Sequence, residues 1–84
     1  MAFHGGYKLK SKTNLLGGKG LIPKNKKLIA LHCIAKPSEN IVIQFHDDEI
    51  IHFPPDAFVP GGIYNFAIKQ INEEGCKCFI GLTN

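Results

Sequence analysis

Residues 59–82 read Val-Pro-Gly-Gly-Ile-Tyr-Asn-Phe-Ala-Ile-Lys-Gln-Ile-Asn-Glu-Glu-Gly-Cys-Lys-Cys-Phe-Ile-Gly-Leu, two short apolar-alternating runs separated by turn-forming residues. Side chains on a strand repeat every two residues, so Tyr64, Phe66 and Ile68 are expected on one face and Asn65, Ala67 and Lys69 on the other. Asn72-Glu73-Glu74-Gly75 is expected to reverse the chain. Cys76, Cys78, Ile80 and Leu82 then form the inward stripe of a last strand, and the two runs predict a closing β-hairpin.

The same reasoning carries upstream. Residues 28–35 are an almost unbroken apolar run ending in Lys36-Pro37-Ser38-Glu39-Asn40, a turn composition, and predict a strand covered on both faces. Residues 41–53 predict a second hairpin, with Ile41, Ile43, Phe45, Ile51 and Phe53 inward and Asp47-Asp48 at its turn. Pro54-Pro55 ends it, because proline has no N–H to give to a ladder. Residues 56–60 form a short crossing segment with about one helical turn. Residues 3–10 give a first strand or arm, whereas Gly17, Gly18, Gly20, Pro23 and Asn25 interrupt residues 11–27. No stretch longer than about seven residues combines helical spacing with caps. These elements predict an all-β fold, a small antiparallel β-sandwich or barrel of five to seven short strands with an extended N-terminal arm. The division expected is a lysine-rich arm or wrapping loop at residues 1–26 and a β-sandwich domain at residues 27–84.

At 84 residues the chain is one domain, short enough that association with other subunits would help it stay folded. Hydrophobic content of 44% with 20% charge is that of a globular protein, and no apolar run approaches the roughly 20 residues of a membrane span. The start, Met-Ala-Phe-His-Gly-Gly, lacks the pattern of a secretory signal, so export by that route is not expected. Every basic residue is lysine, and seven of the ten lie within residues 8–27; residues 39–56 carry Glu39, Asp47, Asp48, Glu49 and Asp56 and no lysine. Opposite charges separated in this way suit head-to-tail or lattice contacts between subunits as well as they suit a polyanion. The absence of arginine weighs against a dedicated reader of phosphates and bases.

Candidate chemistry is sparse. His46, Asp47, Asp48, Glu49 and His52 could gather around a metal if the hairpin brought the two histidines together; the alternative is a solvated turn flanked by surface histidines, and no metal is the expectation. Cys76-Lys77-Cys78 lacks a second pair, and with Cys33 it makes an odd count best read as reduced thiols in a core. Gly17-Gly18-Lys19-Gly20 has neither the spacing nor the Lys-Ser/Thr of a phosphate loop. Ser11 and Ser38 stand in turn-like segments without a nucleophile motif. No enzyme activity and no cofactor are expected. The basic segment remains, with Phe3, Tyr7, Lys8, Lys10, Lys12, Leu15, Leu16, Leu21, Ile22 and Lys24 as partner-binding residues: lysines at the rim, apolar anchors between them. Binding of single-stranded nucleic acid through the same lysines, with Tyr7 and Phe3 stacking on bases, is one alternative, and an ordinary solvated lysine face is the other.

The order of Asn40-Ile-Val-Ile-Gln-Phe, Phe53, Phe58-Val-Pro-Gly-Gly62, Ile68-Lys-Gln-Ile71 and Gly75-Cys-Lys-Cys-Phe-Ile-Gly-Leu82 resembles small virion structural proteins of tailed phages, of the head spike-base or capsid decoration type. The similarity covers about residues 27–84; the lysine-rich start and the paired cysteines depart from it. The resemblance implies a non-enzymatic, multi-copy component of a virion with a β-sandwich core, assembled in the host cytoplasm and attached to a major capsid or neck/spike protein, with no membrane partner.

Overall fold

A computed structural model describes residues 5–9 and 27–84. Its seven strands are β1 (Gly5–Lys8), β2 (Leu28–Cys33), β3 (Ile41–Phe45), β4 (Ile50–Phe53), β5 (Ile63–Tyr64), β6 (Ile68–Ile71) and β7 (Phe79–Thr83), with a 3-10 turn at Pro55–Ala57 and one short helix, α1 (Glu73–Cys78). They form two antiparallel sheets, one ordered β1-β7-β2-β5 and the other β4-β3-β6. The all-β sandwich expected from the sequence is the fold observed.

The hairpin of residues 41–53 forms with Ile41 opposite Phe53 and Ile43 opposite Ile51. Its three-residue turn places Asp48 at φ 66°, with Asp48 N donating to Phe45 O at 3.0 Å and Phe45 N to Glu49 O at 2.9 Å. That is the left-handed position which closes such a loop, and aspartate is among the few non-glycine residues that tolerate it. The helical turn expected in residues 56–60 is the 3-10 turn, one residue earlier. The strand expected in residues 3–10 is β1, the outer strand of the four-stranded sheet.

The closing hairpin is not formed. Strand β6 pairs with β3, whereas β7 lies in the other sheet between β1 and β2. Between them Asn72 starts a helix instead of a turn: its side chain accepts from Gly75 N, and the acidic pair Glu73 and Glu74 fills the first turn. Cys76 and Cys78 are therefore helical. In β7 the buried residues are Phe79, Gly81 and Thr83, so Ile80 and Leu82 face outward, opposite to the expected phase. The run from Tyr64 to Ile68 is likewise divided, for Tyr64 pairs with Leu31 in one sheet and Ile68 with Phe45 in the other.

Two bulges set the core phase. Leu28 and Leu31 are both buried although three apart, as are Ile68 and Ile71, which strict alternation forbids. In each case the register shifts by one residue, between Leu28 and Ala30 against β7 and between Gln44 and Phe45 against β6. An extra residue on one strand lets both flanking side chains turn inward.

Leu9, Leu28, Leu31, Cys33, Ile41, Ile43, Phe58, Ile68, Ile71, Cys78 and Phe79 form one core cluster, in which Phe58 is 1% exposed. Phe58 comes from the connection after the 3-10 turn and stands edge-on to Phe79 at 4.9 Å and Tyr64 at 4.8 Å, both in the four-stranded sheet, and 5.3 Å from Phe53 of the other sheet. Gly81 leaves room on the inner face of its own sheet for the side chains of both neighbouring strands: a Cβ there would stand 2.5 Å from Leu28 Cδ1 and 2.8 Å from Leu9 Cδ2.

Replacing Phe58 by alanine removes contacts to both sheets and should cost about 3–5 kcal/mol, read as a lower midpoint in urea unfolding. Thr83 is fully buried, and its hydroxyl has no hydrogen-bond partner among the described residues. Thr83→Val keeps the shape without that polar group and should raise stability by about 1 kcal/mol in the same measurement.

Candidate functional site

The outer face of the four-stranded sheet carries the chemistry most suited to a partner. On β7, Ile80 lies between Lys8 of β1 and His32 of β2, and Ile63 of β5 pairs with His32 on its far side. Beyond β2 the pairing continues through the loop, as Gly61 N donates to Cys33 O at 2.7 Å and Cys33 N to Gly62 O at 2.9 Å. Cys33 points inward, so Ile34 falls on the outer face diagonally beside Ile63. Ile34 and Ile63 are each 49% exposed, and Val59, in the adjoining turn, is 57% exposed.

Where this face meets α1 there is a groove of about 580 Å³, with Ile34, Phe79 and Ile80 among its apolar lining and Lys8, Lys77 and Glu73 among its charged residues. Apolar residues bordered by charges are the pattern of a protein-docking surface.

The α1 wall is fixed by polar contacts. Asn72 Nδ2 donates to Asn40 O at 3.0 Å while its Oδ1 accepts from Gly75 N at 3.1 Å. Glu74 is buried, and its Oε2 accepts from Ser38 N at 2.6 Å and from Ser38 Oγ at 2.9 Å, with Cys78 Sγ 3.7 Å away. The Ser38 N–H, then its hydroxyl, hold the Glu74 carboxyl below its ordinary value. Gly75 fits here because a Cβ would run into the side chain of Ile71. Loop 34–40 and α1 thus form one unit that presents Ile34 beside Cys76 and Lys77.

Of the residues expected to bind a partner, Lys8 lies on the groove. Tyr7 is half-buried against the core, its ring over Gly5. Phe3, Lys10, Lys12, Leu15, Leu16, Leu21, Ile22 and Lys24 lie outside the described residues. Ile34, Ile80 and Lys77 escaped the sequence reading because α1 and the phase of β7 did. The signal available was Asn72 followed by two glutamates, the pattern of a helix start.

The histidines are not brought together. His52 pairs with Val42, and His46 lies in the turn four residues further along, roughly 13 Å at strand spacing. Among the described residues no three His, Cys, Asp or Glu side chains converge on a point where a metal could sit. The three cysteines are free thiols, and burial raises the pKa of each. Cys33 Sγ donates to Ala35 O at 3.3 Å, which uses the thiol to hold the start of loop 34–40. Among the described residues no helix is long and apolar enough to cross a membrane.

Comparison with known protein families, with curated proteins and with solved structures gives no match.

Glu74 gives this wall a pH dependence. Its folded pKa lies below the ordinary 4.5, so its contribution is present above that value and is lost as pH falls through the folded pKa. Glu74→Gln should lower the melting temperature at pH 7, and the gap from wild type should close as both are titrated below pH 4.5. A gap that stays constant through that titration would show that the charge of Glu74 does not hold the loop.

Proposed function

We propose that the protein is a non-enzymatic structural subunit of a tailed-phage virion, of the capsid decoration or spike-base type. It holds a major capsid or neck/spike protein through the outer face of its four-stranded sheet together with the lysine-rich segment at residues 1–26. The observation that carries this reading is the contiguity of exposed Ile34 and Ile63 with a groove that has Ile80 in its lining and Lys8 and Lys77 beside it. Apolar side chains exposed on neighbouring strands suit burial against a partner, and the lysines suit an acidic surface around it. The resemblance of residues 27–84 supplies the class of assembly. Repetition of such a small contact around a symmetric particle makes a firm attachment from individually weak ones.

Occupancy on purified particles tests the reading. Ile34→Asp combined with Ile63→Asp should leave the melting temperature nearly unchanged, since both side chains are half exposed, and should reduce occupancy at least tenfold. Full occupancy by the double variant would overturn the docking face. Salt-sensitive retention on single-stranded DNA with no particle association would favour the nucleic-acid alternative.

A further inference from the structure

Among the described residues four strands stand at sheet edges: β1 and β5 in one sheet, β4 and β6 in the other. Sheets protect their edges with lysine, proline, bulges or short strands. Three of these edges have such a device. Strand β1 carries Lys8, β5 is two residues long, and β6 carries Lys69 at the register shift against β3. Strand β4 has none. It reads Ile-Ile-His-Phe with an unbroken register against β3, and Ile50 is 57% exposed.

The hydrogen-bond phase of this edge is fixed by its turn. Phe45 N donates to Glu49 O, so the backbone of Glu49 faces β3. Alternation along an antiparallel pair then turns Ile51 and Phe53 to β3 and leaves the N–H and C=O of Ile50 and His52 pointing away from the sheet. We propose that β4 pairs antiparallel with β4 of a second copy, about a two-fold axis at Ile51, with Ile50 opposite His52 of the partner subunit. This rests on the reading of the protein as an assembly subunit and adds the contact by which copies meet.

The geometry selects that partner. Two outward residues separated by one make a self-complementary pair, so four backbone hydrogen bonds form in one register. Pro54 lacks the N–H that would extend the ladder, and Asp48 at the other end is in the turn conformation. Charge selects the orientation. Asp47, Asp48 and Glu49 crowd the turn, where Asp48 meets Lys69 at 2.5 Å and Asp47 Oδ1 accepts from Glu49 N at 3.1 Å. Antiparallel pairing carries the two acidic turns to opposite ends of the ladder; parallel pairing would set them side by side. On the outer face Ile50 and Val42 border one groove, giving the joined sheet an apolar centre.

Sedimentation equilibrium of the full chain should give twice the 9.3 kDa of one chain. Ile50→Lys places a charge on the edge, and His52→Pro removes an outward N–H while sparing the ladder to β3; each should return the mass to that of a monomer with the β circular dichroism retained. In the wild-type protein, amide exchange at Ile50 and His52 should slow as concentration rises. A wild-type monomer at the highest soluble concentration, a dimer kept by both variants, or concentration-independent exchange at those two amides would overturn the contact. A monomer that still co-purifies with particles overturns the edge pairing and leaves the assembly reading standing; a dimer that associates with no particle supports the pairing and overturns that reading.

Discussion

Phe58 is the contact on which the two sheets depend. Strands β2 and β7 on one side and β3, β4 and β6 on the other each form ladders, but a sheet with one apolar face is not stable until that face is covered. Phe58 enters from a connection that belongs to neither sheet and meets Phe79 and Tyr64 on one side and Phe53 on the other. These aromatic contacts, edge-on to Phe79 and Tyr64 and tilted against Phe53, add about 0.5–1.5 kcal/mol each beyond burial. In so small a domain that concentration of contact at one position ties the two layers together.

The sequence was legible where periodicity and proline acted together. The hairpin of residues 41–53 follows from its alternation, its acidic turn and Pro54; of the expected inward set Ile41, Ile43, Phe45 and Phe53 lie in or against the core, and Ile51 pairs with Ile43 but is only partly covered. It was misleading where a chance alternation imitated a strand. Cys76, Cys78, Ile80 and Leu82 have a perfect period of two, yet the first two belong to a six-residue helix and the last two face outward. A helix so short shows no 3.6-residue period, and Gly75 within it reads as a turn until the side chain of Ile71 is seen to fill its place. The change of sheet between Tyr64 and Ile68 and the two bulges depend on partners far along the chain, which local pattern does not encode.

The helix and the phase of β7 also move the candidate docking surface. With residues 64–82 folded as a hairpin, Ile80 belongs to the core and Ile34 is merely the end of a strand. With α1 in place, loop 34–40 is held to the helix by Ser38 and Asn72, and Ile34 and Ile80 border a groove beside Lys8. Lys8 is thus the link between the basic segment conspicuous in the sequence and an apolar face that only the fold assembles. The remaining anchors expected in residues 10–24 lie outside the described residues, so the case for docking rests on the sheet face itself.

The central claim is that this face is covered by another protein in the assembled state. Amide hydrogen exchange, compared between the free protein and the same protein on purified particles, tests it most directly. The account predicts added protection at Ile34 and across residues 59–63 on particles, with the amides of β3, the central strand of the other sheet, unchanged. Equal exchange at Ile34 and residues 59–63 in the two states would contradict it.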